Sequence, residues 1–429
     1  MGIKTIPCWV LLLWNLLLCS VCSSPTTNES QFYNGLESFN NNLFGEIFKS
    51  YGAQNLIFSP FSIQTCMAMA SFGAAGKTAV DLQKGLGFNG QPLESVADNF
   101  HSILAKYAES DILKIANKFY IMDGYQVKDN FNDVLTNKFL SKAENIDFRK
   151  SDRAMEIINN WVKSKTENAI TDLVKPGVLN SDTRLFLLSA IHFDGSWVRP
   201  FDPENTKEGD FYTDQTHSIK LQMMFKRGRA IYGWFEDLEA SAVRLPYANS
   251  DLSLLIILPN ARTGLSSLLT KLKFVCMQYL TLQMKQRSGS IHITLPKFKA
   301  ELDLELNEVL SKMGLDSMFS NADFSNMFDS PEHIAIGKVL HKAVIEVNEV
   351  GTKASASTGL QHVAYSSPVK FTADHPFYYA IPGCYRLKRI QTSKEKLKSS
   401  GADYIIPHTT ESTYITLITK NPMLRIVRL

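Results

Sequence analysis

Residues able to do covalent chemistry are scattered along this chain of 429 residues. Its nine histidines form no His-Glu-x-x-His pair, no Gly-x-Ser-x-Gly elbow frames a serine, and no Ser/His/Asp set assembles from local signatures. Gly85-Leu-Gly87-Phe-Asn-Gly90 matches a dinucleotide fingerprint as a string. That motif needs a preceding strand, whereas Lys77 to Leu86 reads as helical, so a helix-ending turn is the expectation. Gly76-Lys77-Thr78 resembles the end of a phosphate loop, but Ser71 stands where the first glycine belongs. No cysteine or histidine spacing suits a metal. An enzyme is therefore the weaker class, and neither a cofactor nor a metal is expected. The spacing that does stand out is mechanical. Thr352-Lys-Ala-Ser-Ala-Ser-Thr-Gly359 has no bulky apolar anchor, yet it alternates with period two. Thr352, Ala354, Ala356 and Thr358 share one face, and Lys353, Ser355, Ser357 and Gly359 share the other. A segment composed like a surface loop but patterned like a strand suits a protein that works by changing shape.

The elements that would carry this segment read as one α+β domain. Phe32 to Lys49 has helical spacing through Phe39, Leu43 and Phe48. Asn55 to Ser59 reads as a short strand, and Ser62 as the cap of a helix running to Phe72. That helix is apolar or small nearly all round, the pattern of a buried helix. Helices are also expected over Pro92 to Tyr107, with Pro92 at the first helical position, over Asp152 to Val174, and over Leu304 to Gly314. Leu185 to Phe193, Ala242 to Tyr247, Leu252 to Pro259 and Ile291 to Phe298 read as strands. The first part is helix-rich and the second strand-rich, with no linker between them.

Composition narrows the partners. Hydrophobic residues make up 45% and charged residues 20%, ordinary values for a globular protein, and the net charge of +3 argues for neither nucleic acid nor a membrane surface. Residues 1–22 read as an export signal, with Lys4, the apolar run Val10 to Leu18, and small residues before a cut near Ser23. A polar tail over 23–31 contains the glycosylation sequon Asn28-Glu-Ser30. A secreted, extracellular chain follows, with residues 32–429 as its domain. Cys66, Cys276 and Cys384 remain after the signal, an odd set that implies no disulfide framework.

Several motifs, in order, resemble the serpin family from about Phe32 to Phe377. They are Asn55-Leu-Ile-Phe-Ser-Pro-Phe-Ser-Ile63, Ile158-Asn-Asn-Trp-Val162 with Ile170-Thr-Asp-Leu-Val174, Ser189-Ala-Ile-His-Phe-Asp-Gly-Ser-Trp197, Leu245-Pro-Tyr247, Ile257-Leu-Pro259, Leu295-Pro-Lys-Phe298, His341-Lys-Ala343 and Glu349-Val-Gly351-Thr352. The resemblance implies a main sheet of five strands, two further sheets, about nine helices, and an exposed reactive-centre loop over about 349–370. It implies a suicide inhibitor: a chymotrypsin-like serine protease acylates itself on the loop, and the freed hinge inserts into the main sheet. The hinge would comprise Glu349, Gly351, Thr352, Ala354, Ala356 and Thr358. Family spacing from the hinge glycine places the scissile bond between Tyr365 and Ser366, with a shift of one or two residues, or a cut at Leu360, as the alternatives. Ser59, Ser62, Ser189 and His341 fall where the family controls opening of the main sheet, and Trp197 where insertion begins. Ser189 stands in place of the family's Asn, and Val350 in place of an acidic residue. A monomer, with the target protease as its partner, is expected. The segment 382–411 is atypical, and a non-inhibitory carrier or chaperone is the alternative reading.

Overall fold

The computed structural model describes residues 28–52, 54–275, 277–286, 290–328, 334–351, 368–382 and 416–419. The chain runs α1 (Asn28–Tyr51), β1 (Leu56–Phe58), α2 (Pro60–Gly73), α3 (Gly76–Gly85), α4 (Leu93–Tyr107), β2 (Leu113–Met122), α5 (Asp129–Phe139), β3 (Glu144–Ile146), α6 (Ser151–Lys165) and β4 (Leu185–Phe193). It continues through β5 (Lys207–Tyr212), β6 (Ser218–Gly228), β7 (Ile231–Phe235), β8 (Ala240–Pro246), β9 (Ser253–Pro259), α7 (Leu265–Leu272), α8 (Met277–Gln283), β10 (Lys285–Gln286), β11 (Ile291–Pro296), β12 (Phe298–Glu305) and α9 (Asn307–Leu310). The last elements are β13 (Ile336–Val347), β14 (Val369–Thr372), β15 (Phe377–Ala380) and β16 (Thr416–Thr419).

The strands form three sheets, as expected. The main sheet has five strands in the order β12-β13-β4-β2-β3. β13 and β4 lie side by side and parallel, from Ile336 opposite Leu185 to Ile345 opposite Phe193. β12 and β2 flank them antiparallel. A second sheet runs β14-β11-β6-β5, and the third runs β1-β16-β15-β9-β8-β7-β10. β16 pairs with both β1 and β15, so the divergent chain end supplies an interior strand beyond the atypical segment.

Alternation along β4 and β13 sorts their side chains onto two cores. Leu187, Ile191, Val339, Ala343 and Ile345 face the large core around α2. Leu188, Ala190, Leu340 and Val344 face a smaller core that α6 closes through Ala154, Ile158 and Val162. On that side Lys118 of β2 holds its ammonium 4.8 Å from the Trp161 ring of α6.

Several expectations need correction at element ends. Ser59, not Ser62, caps α2, accepting the Ser62 backbone N–H at 3.1 Å with Pro60 in the first turn. Pro92 precedes α4 with an extended ψ of 130° rather than opening the helix. α6 stops at Lys165 because Glu167 and Asn168 adopt left-handed backbone, and Thr166 Oγ1 takes the Ile170 N–H. The helix expected over Leu304 to Gly314 begins only at Asn307, because Leu304 is still in β12, opposite His341. α1 begins at Asn28, inside the stretch expected as a polar tail. The loop expected to reach residue 370 gives way to strand at Val369. Gly85-Leu-Gly87 is the expected helix-ending turn, with Gly87 at φ +78°.

Candidate functional site: a seam and its docked hinge

The shared edge of β4 and β13 is a seam that passes directly over the N-terminus of α2. Strand register sets Ser189 opposite His341 across this seam. On the other side of β4, Asn117 of β2 is opposite Ser189. Asn117, Ser189 and His341 thus form one row across three strands, all pointing at α2. Ser59 and Ser62 meet this row from below because the cap geometry of α2 presents both of them there.

The hydrogen bonds assign the protons. The Ser59 backbone N–H donates to His341 Nε2 at 3.0 Å, so Nε2 carries no hydrogen. Burial of His341 pushes its pKa down to about 3, so the ring is neutral and its proton sits on Nδ1. Nδ1–H then donates to Ser189 Oγ at 3.0 Å. The Ser62 hydroxyl donates to Asn117 Oδ1 at 2.9 Å. The remaining Ser62–Ser189 contact of 2.9 Å must therefore run from Ser189 to Ser62. The result is a one-way chain, His341 to Ser189 to Ser62 to Asn117, whose first link crosses the seam. Asn117 Nδ2 is buried with no hydrogen-bond partner among the described residues.

Sequence reasoning named Ser59, Ser62, Ser189 and His341, and the structure brings all four together. It missed Asn117, whose amide sits one strand away from the position where the resemblance led one to look. The available signal was an uncharged amide, Asn117, in phase with the core-facing Ile115, Phe119 and Ile121 of the strand Lys114-Ile-Ala-Asn-Lys-Phe-Tyr-Ile121.

At the end of β13 the chain turns through Asn348 to Gly351 and is held by the segment after β4. Trp197 is buried and stacks on Tyr247 with ring centroids 4.5 Å apart. Its indole N–H donates to Asn348 O at 2.9 Å, and its backbone N–H donates to Val350 O at 3.0 Å. The Phe201 N–H donates to Glu349 O at 2.7 Å. Gly351 has φ +79°, and a Cβ there would lie 2.0 Å from Gly195 O. Only glycine fits that approach.

The Glu349 side chain faces inward, where Lys297 Nζ lies 3.0 Å from Oε2 and the Thr206 hydroxyl donates to Oε1 at 2.9 Å. Burial alone would raise its pKa, but its own backbone N–H, Lys297 and Thr206 outweigh burial and hold the carboxyl below its usual range. A second tie crosses the seam on the outer face. Lys342 of β13 reaches Asp172, on the connection from α6 to β4, at 2.9 Å, and Glu301 of β12 at 2.7 Å.

Thr352, Ala354, Ala356, Thr358, Tyr365 and Ser366 lie outside the described residues, as do residues 1–27 with the expected export signal. The backbone of Asn28 is described but its side chain is not. Among the described residues no group of His, Cys, Asp and Glu could hold a metal, and no helix is long and apolar enough to cross a membrane.

Comparison with known proteins places this geometry. A family model described as "Serpin (serine protease inhibitor)" matches residues 34–383. The chain is 36% identical to Serine protease inhibitor 42Dd of Drosophila melanogaster, over 78% of this chain and 89% of the relative. It is 34% identical to Antitrypsin of Bombyx mori, over 81% of this chain and 90% of the relative. A solved structure of cleaved Serpin 42Da superposes with a TM-score of 0.75 at 40% identity, covering 83% of this chain and 95% of that one. From the match along its length and the five-strand main sheet, the chain belongs to the serpin family, and the relatives compared above are named as serine protease inhibitors.

Proposed function

We propose that the protein is a secreted suicide inhibitor of chymotrypsin-like serine proteases, working by insertion of its cleaved loop into the seam. The observation that carries this is the pairing of β4 with β13. Two adjacent parallel strands make slanted bonds that are weaker per residue than antiparallel ones. A strand entering between them from the hinge end would run antiparallel to both. Each inserted residue would gain hydrogen bonds worth on the order of 1 kcal/mol, so eight to twelve residues release roughly ten kcal/mol.

The segment that follows Gly351 is suited to that entry. Thr352 and Thr358 are β-branched, Ala354 and Ala356 need little volume, and Lys353, the only charge, belongs to the other face. An inward charge would cost several kcal/mol and stall insertion.

In the covalent step the protease serine Oγ attacks the carbonyl carbon of Tyr365. The bond to the Ser366 nitrogen breaks, the amine leaves with a proton, and an acyl-enzyme remains. Insertion then carries the attached protease away before water can release it. Tyr365 is the whole basis for the chymotrypsin class, since an aromatic residue fits a deep apolar pocket. Secretion rests on residues 1–22, and glycosylation at Asn28 depends on it. Ser59, Ser62, Ser189 and His341 would time the opening of the seam, and Trp197 would guide the hinge into it.

Incubation with chymotrypsin tests the reading. The expected product is a covalent complex stable in SDS, with mass spectrometry placing the ester on Tyr365. Rapid cleavage of the loop with no such complex rejects trapping and favours the carrier class.

A further inference from the structure

Many charged side chains on this surface have an ion-pair partner: Lys77 pairs with Asp81, Lys271 with Glu239, and Lys312 with Glu308. One face of the β14-β11-β6-β5 sheet differs. Register places Lys370 of β14 opposite His292 of β11, and His292 opposite Arg227 of β6. These three residues share one outward face in a row across the strands. Lys370 and Arg227 are exposed, and His292 is half-buried with its ring edge-on to Phe225 at 5.5 Å. Arg199 and Arg229 extend the patch past the end of β6, tied together where the Arg199 guanidinium donates to Arg229 O at 3.2 Å. Among the described residues no carboxylate pairs with Arg199, Arg227, Arg229 or Lys370. β11, β14 and β6 contribute no acidic residue at all.

The place of this row says what would cover it. Lys370 lies four residues after Ser366, so chain length limits their separation to about 14 Å. Arg227 lies two strand spacings further across, about 10 Å. A standard protein interface covers about 800 Å² on each partner, a disc of roughly 16 Å radius. A protease seated on the bait bond would therefore reach Lys370, while Arg227, at up to about 24 Å, lies at or beyond the edge of that disc and would act on the protease through its field. Charges at an interface rim act mainly on the rate of encounter, by steering. A sulfated glycan fits less well, because the row is short and begins within the protease footprint at Lys370.

We propose that this face is an exosite that draws in the acidic rim of the protease attacking the loop. The proposal rests on the reading of residues 352–366 as the bait. It sets which proteases are captured quickly, as a separate determinant from Tyr365.

The test measures how fast the loop is attacked, counting cleaved chain and covalent complex together, so that a failure of trapping does not hide the result. The probes are α-chymotrypsin and α-chymotrypsin whose lysines have been succinylated to carboxylates. The parent protein should be attacked by the succinylated enzyme about tenfold faster relative to the unmodified one at low salt, with the ratio shrinking as salt rises. Arg227→Ser with Lys370→Ser should lower that ratio at least about threefold. Lys77→Ser with Lys138→Ser removes the same charge elsewhere and should leave the ratio intact. An equal fall in both double variants would reduce the effect to net charge and overturn the proposal. So would an unchanged ratio in the first double variant, including the case where that variant loses only its retention on heparin resin.

Discussion

Asn117 ends a chain of hydrogen bonds that begins at a buried imidazole. Its Oδ1 accepts the Ser62 proton, and together with the Ser59 N–H on His341 Nε2 it fixes the direction of every link in the chain. Asn117→Leu should leave the Ser62 hydroxyl proton without its acceptor and cost the intact form about 1–3 kcal/mol. Adding Ser189→Asn returns an amide one strand nearer the seam and should recover at least half of the lost thermal midpoint. Failure of that rescue would mean that Asn117 acts by packing alone. His341 yields a prediction of pH dependence. Burial holds the folded ring's pKa near 3, below the ordinary 6.5. Between those values the unfolded chain binds the extra proton, so stability falls as pH falls through that window. By pH 5 this residue alone should have cost about 2 kcal/mol. The thermal midpoint of the intact protein at pH 7 and pH 5 measures it, and His341→Gln should flatten that part of the slope. An identical slope in the variant would contradict the assignment of a neutral ring.

The elements that build the site were legible where they are long and strongly patterned. Leu185 to Phe193 and the Ala242–Pro259 pair of strands read correctly, because apolar runs of that length bounded by turn residues have few alternatives. The end of α6 was not legible. Ile170 to Val174 continues an apolar spacing, and only the left-handed backbone at Glu167 and Asn168 breaks the helix. Asn117 was missed for a different reason. Period two tells which face a residue takes but not which strand lies beside it, so no row across three strands can be read from one chain. The hinge turn is where an element-scale prediction belongs. Gly351→Ala places a methyl against Gly195 O and forces a left-handed backbone on alanine, a cost of at least 1–2 kcal/mol. The turn should undock from Trp197, red-shifting its emission and lowering the intact protein's melting by a few degrees. Trp197→Phe supplies the control. Unchanged emission would show that the turn tolerates a side chain and that its docking is not tight.

For the molecule as a whole, the described strands of the main sheet pair without a gap, and the segment best patterned to join them follows Gly351 directly in the sequence. β13 and β4 keep their parallel pairing from end to end, apart from one irregularity near Ile336 and Lys338. The buried chain from His341 to Asn117 and the Lys342–Asp172 pair both span the shared edge. Under the proposed mechanism those ties would hold the intact form short of its most stable state, and insertion would replace one parallel seam with two antiparallel ones. The divergent chain end does not disturb this, since β16 still occupies the interior of its own sheet. The measurement that bears most directly on this is the thermal midpoint of the protein before and after a single cut in its loop. A rise of some tens of degrees in the cut protein, with both fragments retained, is the predicted result. A midpoint that stays where it was in the uncut chain would contradict strand insertion, and with it the reading of the protein as a trap.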